Sequence, residues 1–324
     1  MDKINIGIVG YGNLGKGVEQ ALSYNSDMCL KAVFTRRDVN ALDTNSLVVH
    51  ISEIEEYKGI IDVMILCGGS AKDLDVQGPM IAAHFNTIDS FDTHSRIPEY
   101  YEKMNQVAKN SGTCSLISTG WDPGLFSLQR LLGLSILPVG KEYTFWGIGV
   151  SQGHSEAIRQ VTGVKLAKQY TIPKEEALAK VRSGENPNLT IMERHARICY
   201  VVPEDGANTE QIKDNIINMP NYFADYDTSV HFITEAEYNK EHLGTPHGGI
   251  VIRTGQTSPT AKQKVEFGIE LASNPEFTAS VVVAYTRAVS KMAALGHKGA
   301  YTVFDIPFAF LSPYSPEQLR KELL

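Results

Sequence analysis

At 324 residues the chain is longer than one ordinary core accommodates, so two domains are expected. Hydrophobic residues at 43% and charged residues at 21% exclude a disordered polymer, and a net charge of −7 argues against a nucleic-acid surface, which needs clustered Lys and Arg. Cys29, Cys67, Cys114 and Cys199 lie far apart with no CxxC pair, which fits reduced thiols, and no leader or apolar run of bilayer length is present; a soluble, cytoplasmic protein is expected, with no membrane partner.

Ile4 to Val9 reads as a strand ended by glycines, Gly15 to Ser23 as a helix, and Leu30 to Phe34 as a second strand. Asp62 to Cys67 is a third strand, closed by Gly68-Gly69. A helix over Lys72 to Phe85, a strand over Asn86 to Ser90, a helix over Ile97 to Ser111 and a strand over Thr113 to Ser118 follow. This alternation predicts an α/β fold, a doubly wound parallel Rossmann sheet in residues 1–120.

Beyond Gly120 the rhythm changes. Strands are predicted at Glu142 to Gly147, Ala167 to Ile172, Ala196 to Val202, Ser229 to Thr234, Gly249 to Thr254 and Val265 to Leu271. Helices are predicted at Ser155 to Gln160, Lys174 to Arg182 and Glu210 to Asn218. The pattern predicts a mixed α+β domain over 121–296, as an open sheet with helices on one face. Its last element is a long helix over Pro275 to Leu295, with Asn274 as cap and Pro in the first turn. Residues 297–324 are expected to return to the first domain.

Gly10-Tyr11-Gly12-Asn13-Leu14-Gly15 is a GxGxxG between a strand and a helix, the arrangement that brings a dinucleotide pyrophosphate onto helix amides. An NAD enzyme places an acid at the end of the second strand, to hold the ribose 2′-hydroxyl. Here that position reads Phe34-Thr35-Arg36-Arg37. Guanidinium groups pair with a 2′-phosphate that a carboxylate would repel, so the expected cofactor is NADP.

The second domain opens with more distinctive residues. Ile117-Ser118-Thr119-Gly120-Trp121-Asp122-Pro123-Gly124, Thr144-Phe145-Trp146-Gly147 and Ser151-Gln152-Gly153-His154-Ser155 resemble the meso-diaminopimelate dehydrogenase family. Asn218-Met219-Pro220-Asn221-Tyr222-Phe223, Pro246-His247-Gly248-Gly249 and Asn274-Pro275-Glu276-Phe277-Thr278-Ala279-Ser280 continue the likeness, which runs over essentially the whole chain. The resemblance implies reversible NADP-linked oxidative deamination at the D-centre of meso-2,6-diaminopimelate. The products are ammonia and L-2-amino-6-oxopimelate, which cyclises to tetrahydrodipicolinate. It also implies a homodimer, with residues 121–296 as the substrate-binding and dimerisation domain.

By the same resemblance Tyr11, Asn13, Leu14, Thr35, Arg36, Arg37, Cys67, Gly68, Gly69, Ser70, Ser90, Phe91, Asp92, Thr119, Gly120, Trp121, Asp122 and Pro123 line the cofactor, beside Gly10 and Gly12 of the motif. Asp92, Asp122, Trp146, Gln152, Gly153, Thr171, Arg197, His247 and Asn274 line the substrate. Asp92 and Asp122 follow successive Rossmann strands at the carboxyl edge, where nicotinamide chemistry occurs, and are assigned to the reacting amine as the catalytic pair. Arg197, Thr171 and His247 are assigned to the distal L-centre, with Arg197 opposite its carboxylate. Glu156 departs from the Asp usual in the family and is left out of the site.

Two other readings fit less well. One is a sugar or homoserine-type dehydrogenase with the same Rossmann start; sugar oxidoreductases of that kind resemble one another in a Glu-Lys-Pro turn, whereas this chain has Asp89-Ser90-Phe91-Asp92 and no lysine. An NADP-sensing regulator would not need Asp92, Asp122 and Arg197 together. No metal is expected: HExxH is absent, and His242 and His247 flank Gly244 and Pro246.

Overall fold

The computed structural model describes residues 3–324. In chain order the first elements are β1 (Ile4–Val9), α1 (Asn13–Ser23), β2 (Met28–Thr35), β3 (Val48–His50), β4 (Val63–Leu66) and α2 (Asp75–Ala82). Then come β5 (Asn86–Asp89), α3 (Ile97–Ser111), β6 (Cys114–Leu116) and α4 (Leu125–Ile136). The middle of the chain holds β7 (Gly140–Trp146), β8 (Gly149–Val150), α5 (Gln152–Arg159), β9 (Val164–Pro173), α6 (Glu175–Arg182), α7 (Ile191–Arg194) and β10 (His195–Pro203). It continues with α8 (Thr209–Ile217), β11 (Asp227–Phe232), α9 (Glu235–Glu241), β12 (His247–Gln256) and β13 (Lys262–Leu271). The last elements are α10 (Asn274–Ala294), β14 (Gly299–Tyr301) and α11 (Pro316–Leu323).

Two compact units emerge: the chain up to Leu128 together with Pro275–Leu324, and Gln129–Asn274. The first unit is built on a seven-stranded sheet in the order β14-β6-β5-β4-β1-β2-β3, with parallel pairing throughout. Chain order reverses between β1 and β4, the switch point at which Rossmann sheets take their dinucleotide. The inner strands read as near-continuous apolar runs because helices cover both faces. Ile6, Ile8, Val63, Ile65 and Leu66 are fully buried.

The long helix α10 belongs to this first unit, not to the second as the sequence reading had it. Val281, Val282, Tyr285, Ala288, Val289 and Met292 pack into the same core as Ile6, Val18 and Leu116. Each of the valines and the methionine contributes on the order of 1.5–3 kcal/mol of burial. Arg287 on this helix, itself buried, donates to both Asp27 carboxylate oxygens (2.6 and 2.8 Å), to Asn25 Oδ1 (2.9 Å) and to the Leu311 carbonyl (2.6 Å). The helix is thereby tied to the turn before β2 and to the C-terminal segment, and β14 extends the sheet beside β6.

The second unit differs from the single open sheet expected. It holds a four-stranded sheet, β11-β10-β9-β8, and an antiparallel three-stranded sheet, β13-β12-β7. The division is made at Gly147, whose φ of +115° turns the chain out of β7. A Cβ there would stand 2.2 Å from the Thr171 carbonyl, so only glycine permits the step toward β8, which pairs with β9. Ile158, Cys199, Val201, Ile212, Ile216 and Phe223 form the core under the four-stranded sheet.

Candidate active site

In the first unit the end of β1 runs into the glycine turn, and α1 starts directly after it with Gly12 as its cap. No side chain caps this helix, so its first-turn amides are left to a ligand, and the helix dipole favours an anion there. Gly15 is forced by close approach: a Cβ would lie 2.2 Å from the Gly10 carbonyl. At Gly12 a Cβ would meet nothing within 4 Å, so the space over the turn is open.

That space belongs to a cavity of about 420 Å³ lined by Gly10, Tyr11, Gly12, Thr35, Arg36, Arg37, Cys67, Gly68 and Gly69. Nine residues predicted to hold the cofactor thus meet in one cavity. Val9, Phe34, Ile51, Asp73 and Gln77 complete its wall without having been assigned to the cofactor from sequence; Val9 and Phe34 directly precede the assigned segments, whereas nothing in the local pattern marks the other three. Asn13, Leu14 and Ser70 adjoin the lining residues in sequence without joining it, and Ser90–Asp92 and Thr119–Pro123 follow β5 and β6.

Both arginines are held in place. Arg37 Nη2 donates to the Tyr11 carbonyl at 2.9 Å, and its amide to Thr35 Oγ1 at 3.0 Å. Tyr11 is anchored in turn by its hydroxyl, which donates to Glu19; Thr44 donates to the same carboxylate at 2.6 Å, as does Ser46. Arg36 pairs with Asp73 at 2.5 Å, and the other Asp73 oxygen accepts the Gly69 amide at 3.1 Å. Residues 3–128 therefore fit NADP, with open space at the helix start and two cations at the end of β2. Burial pushes the Cys67 thiol up to about 12, which favours its protonated form.

At the carboxyl edge, Asp92 is exposed, and its amide donates to Ser70 Oγ at 2.9 Å. Asp122 is half-buried and joined to Pro123 by a cis peptide bond. Asp89, between the two loops, is fully buried and pushed up to about 6 by that burial, against hydrogen bonds that lower it.

In the second unit Arg197 and Thr171 face each other across β10 and β9, and the guanidinium donates to the threonine hydroxyl. Arg197 is 7% exposed and lies over the Tyr226 ring at 4.0 Å, and its Nε has no hydrogen-bond partner among the described residues. His247 packs against Gly149, where a Cβ would come within 2.5 Å of its ring, and Gly149 pairs with Thr171. Trp146 stacks on His195 (5.6 Å) and donates its amide to His195 Nε2 at 2.9 Å. Gln152 and Gly153 are exposed at the start of α5, behind the capping Ser151. Asn274 opens α10, its amide bound to the Thr245 carbonyl at 3.0 Å.

Sequence reasoning missed Tyr226, His195 and His154. Burial, with the charge of Arg197 second, lowers His154 to about 4, and burial first lowers His195 to about 4 as well. Only His154 gave a signal, standing inside the Ser151–Ser155 segment singled out above. Glu156 is engaged on the surface by Arg159 Nε at 3.1 Å and by Gln160 at 2.8 Å.

Residues 120–273 match the family model described as Diaminopimelic acid dehydrogenase C-terminal domain. The meso-diaminopimelate D-dehydrogenase of Ureibacillus thermosphaericus is 60% identical over 326 residues, covering 100% of both chains. A sixfold-substituted meso-diaminopimelate dehydrogenase of Clostridium tetani, solved with DAP, superimposes with a TM-score of 0.94 at 61% identity, covering 99% of this chain and 100% of that one. An engineered D-amino acid dehydrogenase bound to NADP+ does so with a TM-score of 0.87 at 41% identity, over 99% and 100% of the two chains. This chain belongs to the meso-diaminopimelate D-dehydrogenase family.

Proposed function

We propose that this protein is an NADP-dependent meso-diaminopimelate D-dehydrogenase. It converts meso-2,6-diaminopimelate, NADP+ and water into L-2-amino-6-oxopimelate, ammonium, NADPH and a proton, and runs the reverse amination. Beyond family membership, the observation that carries this reading is Arg197, a buried guanidinium bound to Thr171 and Tyr226 with no carboxylate paired to it among the described residues. A buried cation without an anion is costly, and a substrate carboxylate removes that cost.

Bound NADP+ would supply the hydride acceptor for the D-centre carbon. The protein's own residues supply orientation and proton handling. Asp92 and Asp122 hold the reacting ammonium and receive the proton that its nitrogen must lose before water displaces ammonia. Arg197, Thr171 and His247 hold the L-centre, whose carboxylate and ammonium take no part in the chemistry. Trp146, Gln152, Gly153 and Asn274 are read as further substrate neighbours, and Asn13, Leu14, Ser70, Ser90, Phe91, Thr119, Gly120, Trp121 and Pro123 as cofactor neighbours.

The protein is further read as a cytoplasmic homodimer serving diaminopimelate and lysine biosynthesis. Family membership supports this, as does β13, an edge strand with mostly exposed side chains that offers a face for two-fold pairing. No helix among the described residues is long and apolar enough to cross a membrane.

Asp92→Asn and Asp122→Asn test the reacting end. Each is expected to lower kcat by about 100-fold or more while NADP binding persists. Wild-type turnover in both would overturn the assignment.

A further inference from the structure

Asp89 ends β5, three residues before Asp92, and β5 lies beside β6, whose continuation leads to Asp122. Its side chain is wholly buried, yet no cation among the described residues meets it. One carboxylate oxygen accepts two amides: that of Phe91 at 3.0 Å, on the loop to Asp92, and that of Ser118 at 3.0 Å, on the loop to Asp122. The other oxygen accepts the Tyr100 hydroxyl at 2.7 Å. The Tyr100 ring stacks on Phe91 with centroids 4.1 Å apart, so a closed circuit runs from Asp89 through Tyr100 to Phe91 and back. The Asp89 backbone carbonyl also accepts the Thr119 amide at 2.9 Å.

The second loop needs such a clamp. Ser118 sits at φ +55°, the left-handed region unfavourable for a residue with a side chain. Its own hydroxyl is buried without a partner, so it does not hold the turn itself. The amides on either side of its backbone step, Ser118 and Thr119, both end on Asp89.

We propose that Asp89 is a positioning residue for the reaction: its carboxylate fixes the loops that carry Asp92 and Asp122 in one geometry while touching neither substrate nor cofactor. This rests on the reading of Asp92 and Asp122 as the reacting-end pair. Catalytic groups misplaced by about an ångström lose up to a hundredfold in rate, so a clamp of this kind is visible in turnover. Asparagine at position 89 retains an oxygen for the two amides and turns its NH2 toward the Tyr100 oxygen, so it preserves the clamp. Alanine leaves both amides buried without an acceptor.

The test compares Asp89→Ala, Asp89→Asn and Thr87→Val, with kcat expressed per NADP-binding site by fluorescence titration. Thr87 lies two residues earlier on β5, and its hydroxyl donates to Ser115 of β6 at 2.9 Å, so its loss weakens the same strand pair without reaching the loops. Asp89→Ala is expected to lower kcat per site by about tenfold or more with the NADP Kd within about fivefold. Asp89→Asn should stay within about threefold of the unmodified protein, and Thr87→Val likewise. Should Asp89→Ala fail to fold, Tyr100→Phe keeps the ring on Phe91 and deletes only the hydroxyl; it should lower kcat per site several-fold, and an unchanged value overturns the proposal. Asp89→Asn as damaging as Asp89→Ala, or Thr87→Val as damaging as either, also overturns it. Asp92→Asn and Asp122→Asn run alongside separate the two ideas. Loss in both, with Asp89→Ala no worse than Thr87→Val, rejects the positioning role alone, whereas full activity in both rejects the reading and the proposal together.

Discussion

Arg197 and Thr171 stand opposite each other on β10 and β9, and the guanidinium donates to the threonine hydroxyl while its Cζ lies 4.0 Å from the Tyr226 ring centroid. Ring and hydroxyl orient a buried cation without neutralising it. That is the state expected of a carboxylate receptor. Replacing Arg197 with Met is therefore expected to cut kcat/KM for meso-diaminopimelate by an amount worth about 2–5 kcal/mol, the usual loss for one partner of a buried charge pair. An apolar D-amino acid, having no distal carboxylate, should lose much less or gain, because an uncompensated buried cation is removed. Steady-state kinetics on both substrates decide; a proportional loss on both would move Arg197 to the reacting end or to the scaffold.

Arg36 and Arg37 reach the cofactor cavity differently, Arg36 through Asp73 and Arg37 through the Tyr11 carbonyl. Neutral replacements at both positions should raise KM for NADP by about tenfold or more and leave KM for NAD within about twofold, since only the 2′-phosphate is lost as a partner. Equal use of the two cofactors by the unmodified protein would contradict the assignment.

Acid stability has a definite sign in the second unit. His154 and His195 are both lowered to about 4 by burial, well under the ordinary histidine value of about 6.5. The unfolded chain binds more protons than the folded one between these limits, so stability is full above about pH 6.5 and falls as pH drops to about 4. Each imidazole accounts for about 3 kcal/mol at most. Asp89, pushed up to about 6, acts oppositely in the first unit: its contribution is present below about pH 4 and lost as pH rises through about 6. Urea unfolding followed by Trp146 fluorescence, with Trp121 replaced by Phe, should show the acid loss. His195→Gln should remove about half of it. An unchanged pH slope in that variant would contradict neutral burial of His195.

Much of this is legible in the sequence. The GxGxxG turn and the Arg36-Arg37 pair announce the cofactor cavity, because backbone approach and 2′-phosphate pairing demand those residue types at those places. The layout of the second unit was less legible, since β7 and β9 carry similar apolar patterns and only the turn at Gly147 assigns them to different sheets. The helix α10 was assigned to the wrong unit because burial nearly all round leaves no sign of which core it faces. Signals were also passed over: Thr234 with Glu237, and Ser315-Pro316 with Gln318, are capping boxes that mark α9 and α11. Asp89 was hidden for a different reason. A carboxylate ending an apolar strand looks like a turn residue until the two loops that share it are seen.

The central claim is oxidative deamination at the D-centre of a substrate whose two ends carry the same groups. Charge alone cannot orient such a molecule, so selection must come from where donors and acceptors stand around each carbon. NADP+ reduction should therefore be measured separately on the meso, L,L and D,D isomers of diaminopimelate, with ammonia release followed in parallel. The account predicts rapid NADPH formation on the meso isomer with one ammonia per NADPH, and little on the other two. Comparable rates on the L,L isomer, or NADPH formed without ammonia, would contradict it.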